Sequence, residues 1–363
     1  MWQWRRGPIS PPAFAALLGA VLALASGGCG SGAPPAASPQ PAPPAPAAAG
    51  ASAPTSAAAV PTREPIKLAV PYTPLAASSL PLWDAAEEGR FAKYGLDVSL
   101  EYVGGASAII QAMVGGQWDV GVISGGDAAL NRLQGGDMLL VGAFVSSFTL
   151  EPWSKPEITQ FSDLKDKVIP VTRYGTASHF AAIAMLAAGG LKANDATIIQ
   201  SGGTQETMTV LVSGQADAAP LGYPWNLEAR KAGFRRLTPF PELGDYGLFP
   251  QNVVGVRESW LREPRNHDVT VRFLRGLDEG RALAKSDLAV SKAALRKYAK
   301  VDDDAVVQET VEFYRDYFPA NLEVPERSIA SMLRLLDHPA AATADPKQFY
   351  DNSLVAEIGQ SAR

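Results

Sequence analysis

Residues 104–119, GGASAIIQAMVGGQWD, and residues 202–217, GGTQETMTVLVSGQAD, decide the fold of this chain. Each begins with a glycine pair and ends with Gly-Gln-x-Asp, and the second copy starts 98 positions after the first. Between the glycines, apolar residues recur every three or four positions, which is the stripe of an amphipathic helix. An apolar run precedes and follows each copy, so each predicts a strand, a glycine turn, a helix and a strand. Two such βαβ units predict two α/β lobes with a cleft between them.

The sequence around the two units extends both lobes. We expect strands in the first lobe at 66–71, 97–103, 119–123 and 138–145, with helices at 80–94, 106–115 and 126–134. In the second lobe we expect strands at 167–171, 196–200, 216–220 and 234–238, with helices at 177–188, 204–213 and 225–231. Two segments are predicted to cross between the lobes, the proline-broken stretch 151–156 and a strand at 249–256.

The chain after residue 256 predicts helices alone, at 257–262, 266–285, 287–299, 303–317 and 325–337. These helices have nothing to cover unless they pack on the first lobe, so that lobe is predicted to be discontinuous. Its predicted residues are 64–152 plus 253–345, while 153–252 form the second lobe. Residues 346–363 are predicted to be a C-terminal tail or helix.

The N-terminal segment indicates export. Two arginines, Arg5 and Arg6, precede an apolar stretch at 13–25, which is typical of a secretory signal and too short to span a bilayer. We expect a signal peptide at 1–28, lipidation of Cys29, and a disordered Pro/Ala-rich tether at 29–63. The alternative is an ordinary cleaved signal with an incidental cysteine.

Composition excludes several classes of protein. The net charge is −5 and basic runs are absent from the sequence, which argues against binding to nucleic acid. Cys29 is the only cysteine of 363 residues, so an internal disulfide framework and a thiolate metal cluster are excluded. The sequence has neither a phosphate-binding P-loop motif nor a His-Glu-x-x-His motif. We therefore expect neither a metal nor a cofactor.

Several segments resemble a known family in order and spacing. Residues 66–70, 82–98 and 116–121 resemble the first lobe of periplasmic solute-binding proteins of ABC importers. Residues 163–171 and 175–179 are similar to the start of the second lobe in that family. The nearest branch is the one for nitrate, taurine, aliphatic sulfonates and thiamine-pyrimidine precursors. The resemblance implies the bilobal type II periplasmic-binding fold, with a ligand cleft between two α/β lobes.

Ligands of open α/β sheets bind in loops at the carboxyl ends of strands. Glycines and hydroxyls in such loops let backbone N–H groups at a helix start approach an anionic group. The candidate ligand-binding residues in these loops are Tyr72, Ser78, Gly105, Ser107, Gly125, Asp127, Ser146, Arg173, Thr176, Ser178, His179, Thr204, Tyr223 and Trp225.

Several of these residues also have an ordinary structural explanation. Each glycine could serve only as a helix cap or turn, and Arg173 could be a surface arginine rather than the partner of a sulfonate or carboxylate. Asp127 is most simply a helix cap, with recognition of an amine as the alternative. Ser178 and His179 do not predict a catalytic pair, because adjacent helical side chains point about 100° apart.

The leading hypothesis is an extracytoplasmic solute-binding protein that delivers a small organic anion or zwitterion to an ABC permease with its ATPase. Hinges near 151–155 and 249–256 would close the lobes around the ligand. The alternatives are a binder of a thiamine-pyrimidine-like heterocycle and a binding protein coupled to a sensor. A pyrimidine synthase is disfavoured, since the resemblance implies a cysteine-rich motif that this chain lacks. We expect a monomer that meets the membrane only through its lipid anchor.

Overall fold

The computed structural model describes residues 64–360, which lie within one compact unit. The predicted signal peptide, the lipidation site at Cys29 and the predicted tether up to residue 63 lie outside the described residues. Within the described part, no helix combines the length and the apolar character needed to cross a membrane.

Ten strands and twelve α-helices make up the described chain. The strands are β1 Ile66–Tyr72, β2 Leu96–Tyr102, β3 Val120–Ile123, β4 Met138–Ser147, β5 Glu151–Ser154, β6 Val168–Val171, β7 Thr197–Gln200, β8 Ala218–Leu221, β9 Arg235–Arg236 and β10 Leu248–Arg257. The helices are α1 Leu80–Glu87, α2 Ala106–Val114, α3 Gly125–Leu133, α4 Ala177–Ala188, α5 Thr204–Val212, α6 Trp225–Lys231, α7 Glu258–Leu261, α8 Pro264–Ser286, α9 Leu288–Ala299, α10 Asp304–Arg315, α11 Glu326–Leu335 and α12 Ser353–Gln360.

The two halves of the molecule share one strand plan. The first sheet has the order β2-β1-β3-β10-β4, in which β1 is parallel to β2 and β3, and β10 is antiparallel to its neighbours. In the second half, β6 pairs in parallel with β7, and β8 pairs antiparallel with β5, which also pairs with β9. The Asp217 N–H donates to the Val168 carbonyl at 2.9 Å, which joins the start of β8 to β6. The predicted pair of α/β lobes with two crossing segments is confirmed.

Each crossing segment is the antiparallel strand of one half. The chain leaves the first sheet after β4 and enters the second half as β5, so the stretch predicted as a connection is a paired strand. It returns as β10, which pairs with both β3 and β4. Because β5 and β10 are held by strand pairing, each crossing segment belongs rigidly to one sheet.

Helix boundaries follow glycine positions. The predicted helix at 80–94 is wrong in length, because α1 ends at Glu87 and a 3₁₀ turn follows at Ala92–Tyr94. Gly89 has φ 62°, in the left-handed region, and a residue there cannot continue an α-helix. In the second half, α4 and α6 occupy the predicted ranges.

Late helices cover the first sheet, as the sequence predicts. Helices α8 and α9 pack on α1, and α12 packs on α8 and β4. The predicted tail or helix after residue 345 is therefore partly a helix, whose Leu354 and Val355 are buried. Helix α11 differs from the others, since it contacts β10 and α3 of the first half and also α4 of the second.

A cluster of four buried phenylalanines lies where the two halves meet, and we call it the aromatic hub. Phe148 lies 4.8 Å from Phe240 and 4.7 Å from Phe249, measured between ring centroids. Phe180 of α4 stacks on Phe249 at 5.1 Å. Phe148 follows β4 and Phe249 lies in β10, so the hub packs the crossing segments against the second half. The hub belongs to a hydrophobic core that residues of both halves share.

Candidate functional site

A cavity of about 420 Å³ lies between the two halves. Its wall includes Gly105 and Ala106 at the start of α2, Ser124 before α3, and Ser178 at the start of α4. The starts of α5 and α6 also line it, at Gly203 and Trp225 respectively. The helix starts converge because each helix follows a strand, and the carboxyl ends of neighbouring strands meet at one edge of a sheet.

These helix starts keep their backbone donors free of side-chain caps. In α2, α3, α4, α5 and α6, the residue before the first turn makes no side-chain capping bond. Helices α7, α8 and α11 also lack such a bond, whereas α9 and α10 begin with Asp287 and Asp303, whose carboxylates accept from backbone N–H groups of the first turn. Neither aspartate lines the cavity. Free N–H groups and the positive end of the helix dipole favour an anionic or strongly polar guest.

Three buried hydroxyls in the cavity wall lack partners within the protein. Ser78, Ser124 and Thr310 are at most 4% exposed, and their side-chain oxygens make no hydrogen bond with the described residues. Buried polar atoms in folded proteins are nearly always hydrogen-bonded to protein, water or ligand. These hydroxyl oxygens are therefore buried polar atoms that lie just behind the surface of the cavity.

Charge in the wall is sparse and of both signs. Of the residues that line the described cavity, Arg173 and Glu206 alone carry a formal charge, and both are exposed. The Arg173 guanidinium forms no ion pair with another described residue. The Glu206 carboxylate folds back beside Gly203, at the position where a side chain on that residue would begin. A guest thus meets one free cation and one carboxylate.

The two halves touch each other beside the cavity. The Tyr223 ring lies 4.4 Å from that of Phe313 on α10, and its hydroxyl donates to Glu309 at 3.4 Å. Arg230 of α6 reaches the same Glu309 carboxylate at 3.6 Å. These contacts join the second half to α10 at Tyr223, a residue of the cavity wall.

The sequence model of the family described as NMT1/THI5 like matches residues 77–287, more than half of the chain. The chain belongs to the NMT1/THI5-like family.

Solved structures share the fold. A protein from Bordetella bronchiseptica RB50 matches with a TM-score of 0.71 and 21% identity, covering 82% of this chain and 98% of that one. The alkanesulfonate-binding protein SsuA from Xanthomonas axonopodis pv. citri, bound to MOPS, matches with a TM-score of 0.62 and 19% identity, covering 82% and 98%. The periplasmic nitrate-binding protein NrtA from Synechocystis PCC 6803 matches with a TM-score of 0.65 and 16% identity, covering 82% and 89%. No curated protein matches the chain by sequence.

In this NMT1/THI5-like chain, eight of the fourteen candidate residues line the cavity. They are Ser78, Gly105, Arg173, Thr176, Ser178, Thr204, Tyr223 and Trp225. The other six do not line it, and they are Tyr72, Ser107, Gly125, Asp127, Ser146 and His179.

The six candidates outside the wall have identifiable structural positions. Tyr72 is buried between the rings of Trp83 at 6.2 Å and Tyr102 at 5.9 Å, so its neighbour Tyr102 takes its place in the wall. Ser107 lies on the exposed side of α2, and Ser146 is half-buried in β4. The backbone of Gly125 packs closely against Pro250, behind the wall.

Asp127 and His179 lie behind the wall near a shared loop. The Oδ1 atom of Asp127 is 3.3 Å from the position that a Cβ atom on Gly175 would take. Burial raises the pKa of Asp127 to about 7. The Gly175 N–H donates to His179 Nδ1 at 3.2 Å, and burial lowers the pKa of His179. Asp127 is thus a first-turn residue of α3, beside the second half, rather than a cavity-lining ligand residue.

Ser178 has other partners than its neighbour His179. Its hydroxyl lies 2.9 Å from that of Thr172 and 3.0 Å from that of Thr176, and it accepts from the Thr172 N–H. A nucleophile needs a base within hydrogen-bonding reach. The pair therefore has a structural role at the start of α4.

Sequence reasoning missed two parts of the wall. One part is Thr149, between β4 and β5, and Gln251 of β10, whose Nε2 atom donates to Thr149 Oγ1 at 2.6 Å. The other part comes from α9, α10 and their connection, at Leu295, Ala299, Val301, Thr310 and Tyr314. No glycine marks that second part, and its apolar residues have the same pattern as those of a helix that packs on a core.

Proposed function

We propose that this chain is the solute-binding component of an ABC importer, and that it captures a small organic anion or zwitterion between its two lobes. The single observation that carries the proposal is the convergence of uncapped helix starts from both halves on one cavity. Such a wall offers backbone donors to a negatively charged group without a fixed counter-charge that must be desolvated.

The structural neighbours support this class of ligand. One is named as an alkanesulfonate-binding protein and another as a nitrate-binding protein, and both share the fold. We propose that this chain delivers its ligand to a permease that works with an ATPase, as such a role requires. We also propose an extracytoplasmic location, a lipid anchor at Cys29 and a monomeric state.

Ligand would favour closure of the lobes because only the closed form offers both sets of contacts. The sequence predicts 64–152 with 253–345 as one body and 153–252 as the other, and we propose that β5 moves with the second body and β10 with the first. The hinges expected from the sequence fall inside β5 and β10, which are held by pairing. We therefore place the pivots in the connections before them, at 148–150 and 243–247.

We propose that the bound solute leaves unchanged. The charged wall residues, Arg173 and Glu206, are exposed, and the wall of the described cavity contains neither cysteine nor histidine. General acid–base or nucleophilic chemistry needs a positioned titratable group next to the reacting atom.

The test is a binding screen on the purified chain after signal removal. Alkanesulfonates, taurine, nitrate, amino acids and pyrimidines are added in a thermal-shift assay, and hits are titrated by calorimetry. A ligand at 100 times its Kd should stabilise the protein by about 2.7 kcal/mol. Mass spectrometry should recover the ligand intact at a one-to-one ratio. Stabilisation by neutral pyrimidines alone, or a ligand that is chemically converted, would overturn the proposal.

A further inference from the structure

A buried glutamine of β10 is bonded through both of its polar atoms to the connection between β4 and β5. Gln251 Oε1 accepts from the Thr149 N–H at 3.0 Å, and Gln251 Nε2 donates to Thr149 Oγ1 at 2.6 Å. Gln251 is 3% exposed and Thr149 is 1% exposed, so both bonds are shielded from water. The two residues stand 102 positions apart in the chain. We call this pair of bonds the amide clamp.

The glutamine end of the amide clamp is fixed in the first sheet. The register of β10 on β4 shifts between the pairs Leu248–Ser147 and Asn252–Val145, so β10 carries extra residues at Gln251. Such a bulge changes the direction in which a side chain points, and here the Gln251 side chain reaches the β4–β5 connection. Directly after the bulge, β10 pairs with β3 as well as β4, which holds the glutamine in the first half.

The threonine end of the amide clamp lies in the connection where we place the first pivot, 148–150. A pivot has to change its backbone angles when the lobes move. Two bonds from one side chain to the N–H and the hydroxyl of Thr149 restrict the rotation of that residue more than one bond would. Breaking them would leave buried donors and acceptors unpaired, which is costly, and a fully bonded buried network is rigid.

The second pivot, 243–247, is held more weakly. Asp245 accepts from Arg327 and Arg334 of α11, both at 2.9 Å, and the Ser331 hydroxyl donates to the Asp245 carbonyl. The two arginine side chains are 80% and 57% exposed, and ion pairs between exposed side chains contribute little. The amide clamp is therefore the stronger constraint on the lobes.

The two pivots lie side by side, so a constraint on one acts on the other. The Phe148 N–H donates to the Gly247 carbonyl at 3.1 Å, which joins the last residue of the second pivot to the first residue of the first. A rotation at 148–150 must therefore be accompanied by one at 243–247, or this bond is lost.

We propose that Gln251 is a positioning residue for the movement of the lobes: through the amide clamp it holds the first pivot in one conformation, and the ligand-free protein keeps a narrow range of lobe arrangements. The inference rests on the proposed function for the position of the pivots. It goes beyond that function because the role assigned to Gln251 needs no contact with a solute. A solute then meets two walls that are already aligned, which lowers the cost of ordering them on binding.

Pulsed electron paramagnetic resonance on the chain after signal removal tests the inference, with co-purified solute removed by unfolding in urea and refolding. Spin labels are attached at Gln111→Cys and Lys165→Cys, exposed positions of the first and second half, and Cys29→Ser removes the native thiol. We expect a narrow distribution of label distances in this parent protein. Gln251→Met keeps the length of the side chain but forms neither bond, and it should at least double the width. Thr149→Val keeps the backbone bond alone and should give an intermediate width.

Thr270→Val is the matched control, because Thr270 is fully buried on α8 and its hydroxyl donates to the Asn266 carbonyl of its own helix at 2.8 Å. It removes one buried hydroxyl, as Thr149→Val does, and should lower the urea midpoint while the width stays unchanged. Circular dichroism checks the folding of each variant, and if Gln251→Met is unfolded, an unchanged width in Thr149→Val overturns the inference by itself.

Three other results also overturn the inference. They are a broad distribution in the parent protein, equal widths in the parent and Gln251→Met, and the same broadening in Thr270→Val. Each of them leaves the proposed function standing, because the measurement contains no solute. The binding screen described above decides that function separately.

Discussion

The helices that follow the two glycine turns, α2 and α5, begin at the same cavity, but only α5 has a carboxylate in its first turn. In the first turn, Gly105 has φ 134° and precedes α2, whose third residue is Ala108. In the second turn, Gly203 is extended with φ −159°, and the third residue of α5 is Glu206. The start of α5 thus carries a negative charge from its own chain, whereas the start of α2 is free. The comparison teaches that a repeated motif can keep its backbone plan while its two copies differ in how strongly they favour an anion.

The aspartates that end the two repeats, Asp119 and Asp217, have the same structural role, unlike the two glycine turns. Asp119 pairs with Arg257 of β10 at 3.2 Å, and Asp217 pairs with Lys155, directly after β5, at 2.8 Å. Each aspartate therefore ties its βαβ unit to a crossing segment. Asp217 makes one bond more, because its carboxylate also accepts from the Val168 N–H at 2.9 Å.

The largest expected effect is the difference in stability between alanine substitutions at the two turn glycines, Gly105 and Gly203. Gly105→Ala should lower the free energy of unfolding by about 2 kcal/mol, because a side chain at φ 134° is strained even where space is available. Gly203→Ala should cost only a few tenths of a kcal/mol, since its φ suits any residue and the flexible Glu206 side chain can move. Urea denaturation measures both, and equal losses would contradict the difference between the turns.

The second prediction concerns the two aspartates. Asp217→Asn should lower the free energy of unfolding by about 1 kcal/mol at pH 7. Asp119→Asn should lower it by about 0.5 kcal/mol or less, because Asp119 is more exposed and its ion pair is longer. Although burial raises the pKa of Asp217, hydrogen bonds from Lys155 and the Val168 N–H hold it below its ordinary value.

The pH dependence of that difference follows from the sign of the shift. A lowered folded-state pKa gives stability that is present above the ordinary carboxyl pKa of about 4 and is lost as the pH falls through the folded value. The gap between wild type and Asp217→Asn should therefore shrink below about pH 4. A gap that stays constant down to pH 2 would show that the carboxylate charge does not carry the effect.

A carboxylate moved to the first turn should make it resemble the second. Ala108 is exposed, so Ala108→Glu should be tolerated by the fold. The added charge at the start of α2 should weaken the binding of an alkanesulfonate about fivefold, which is about 1 kcal/mol. Ala108→Gln is the matched control for side-chain size and should change the affinity by less than twofold. Identical losses in the two variants, measured by calorimetry, would assign the effect to bulk rather than charge.

Removal of the Glu206 carboxylate is the converse of Ala108→Glu, and it has the smallest expected effect on affinity. Glu206→Gln should strengthen alkanesulfonate binding about twofold, because the start of α5 then lacks its own negative charge. Since Glu206 is exposed, the gain should fall further as salt is raised from low to physiological concentration. A loss of affinity would instead indicate that Glu206 recognises an amine on the ligand, as expected for a zwitterion.

The sequence predicted the parts of the fold that local signals determine. The periodic apolar stripes, the glycine pairs and the late helices are all local patterns, and the elements lie close to their predicted bounds. The helix predicted at 80–94 failed where Gly89 interrupts it, since periodicity continues across a residue that leaves the helical conformation. Strand pairing of β5 was also missed, because the prolines at 152 and 156 suggested an unpaired connection.

The site was predictable only where a polar or glycine signal marks it. The starts of α2, α4 and α5 were predicted to line the cleft from their loops, and residues from each do so. Tyr72, Asp127 and His179 lie outside the wall of the described cavity, because one residue of displacement, or one layer of packing, places a side chain in the interior. Ala299 and Val301 were not predictable, since an apolar helix residue that faces a cavity has the same sequence pattern as one that faces the core.

The two edges of the five-stranded sheet are protected by different means. On the β4 side, the Leu140 N–H donates to the Phe349 carbonyl at 3.0 Å and the Asp351 N–H donates to the Leu140 carbonyl at 2.8 Å, so the chain end itself occupies the edge. On the β2 side, acidic residues Asp97 and Glu101 discourage pairing with another chain. A truncation that removes Phe349 and the residues after it would expose the edge of β4, and β4 could then pair with a strand of another molecule. Expression tags fused behind the last helix preserve this protection, and truncations for crystallisation should stop short of it.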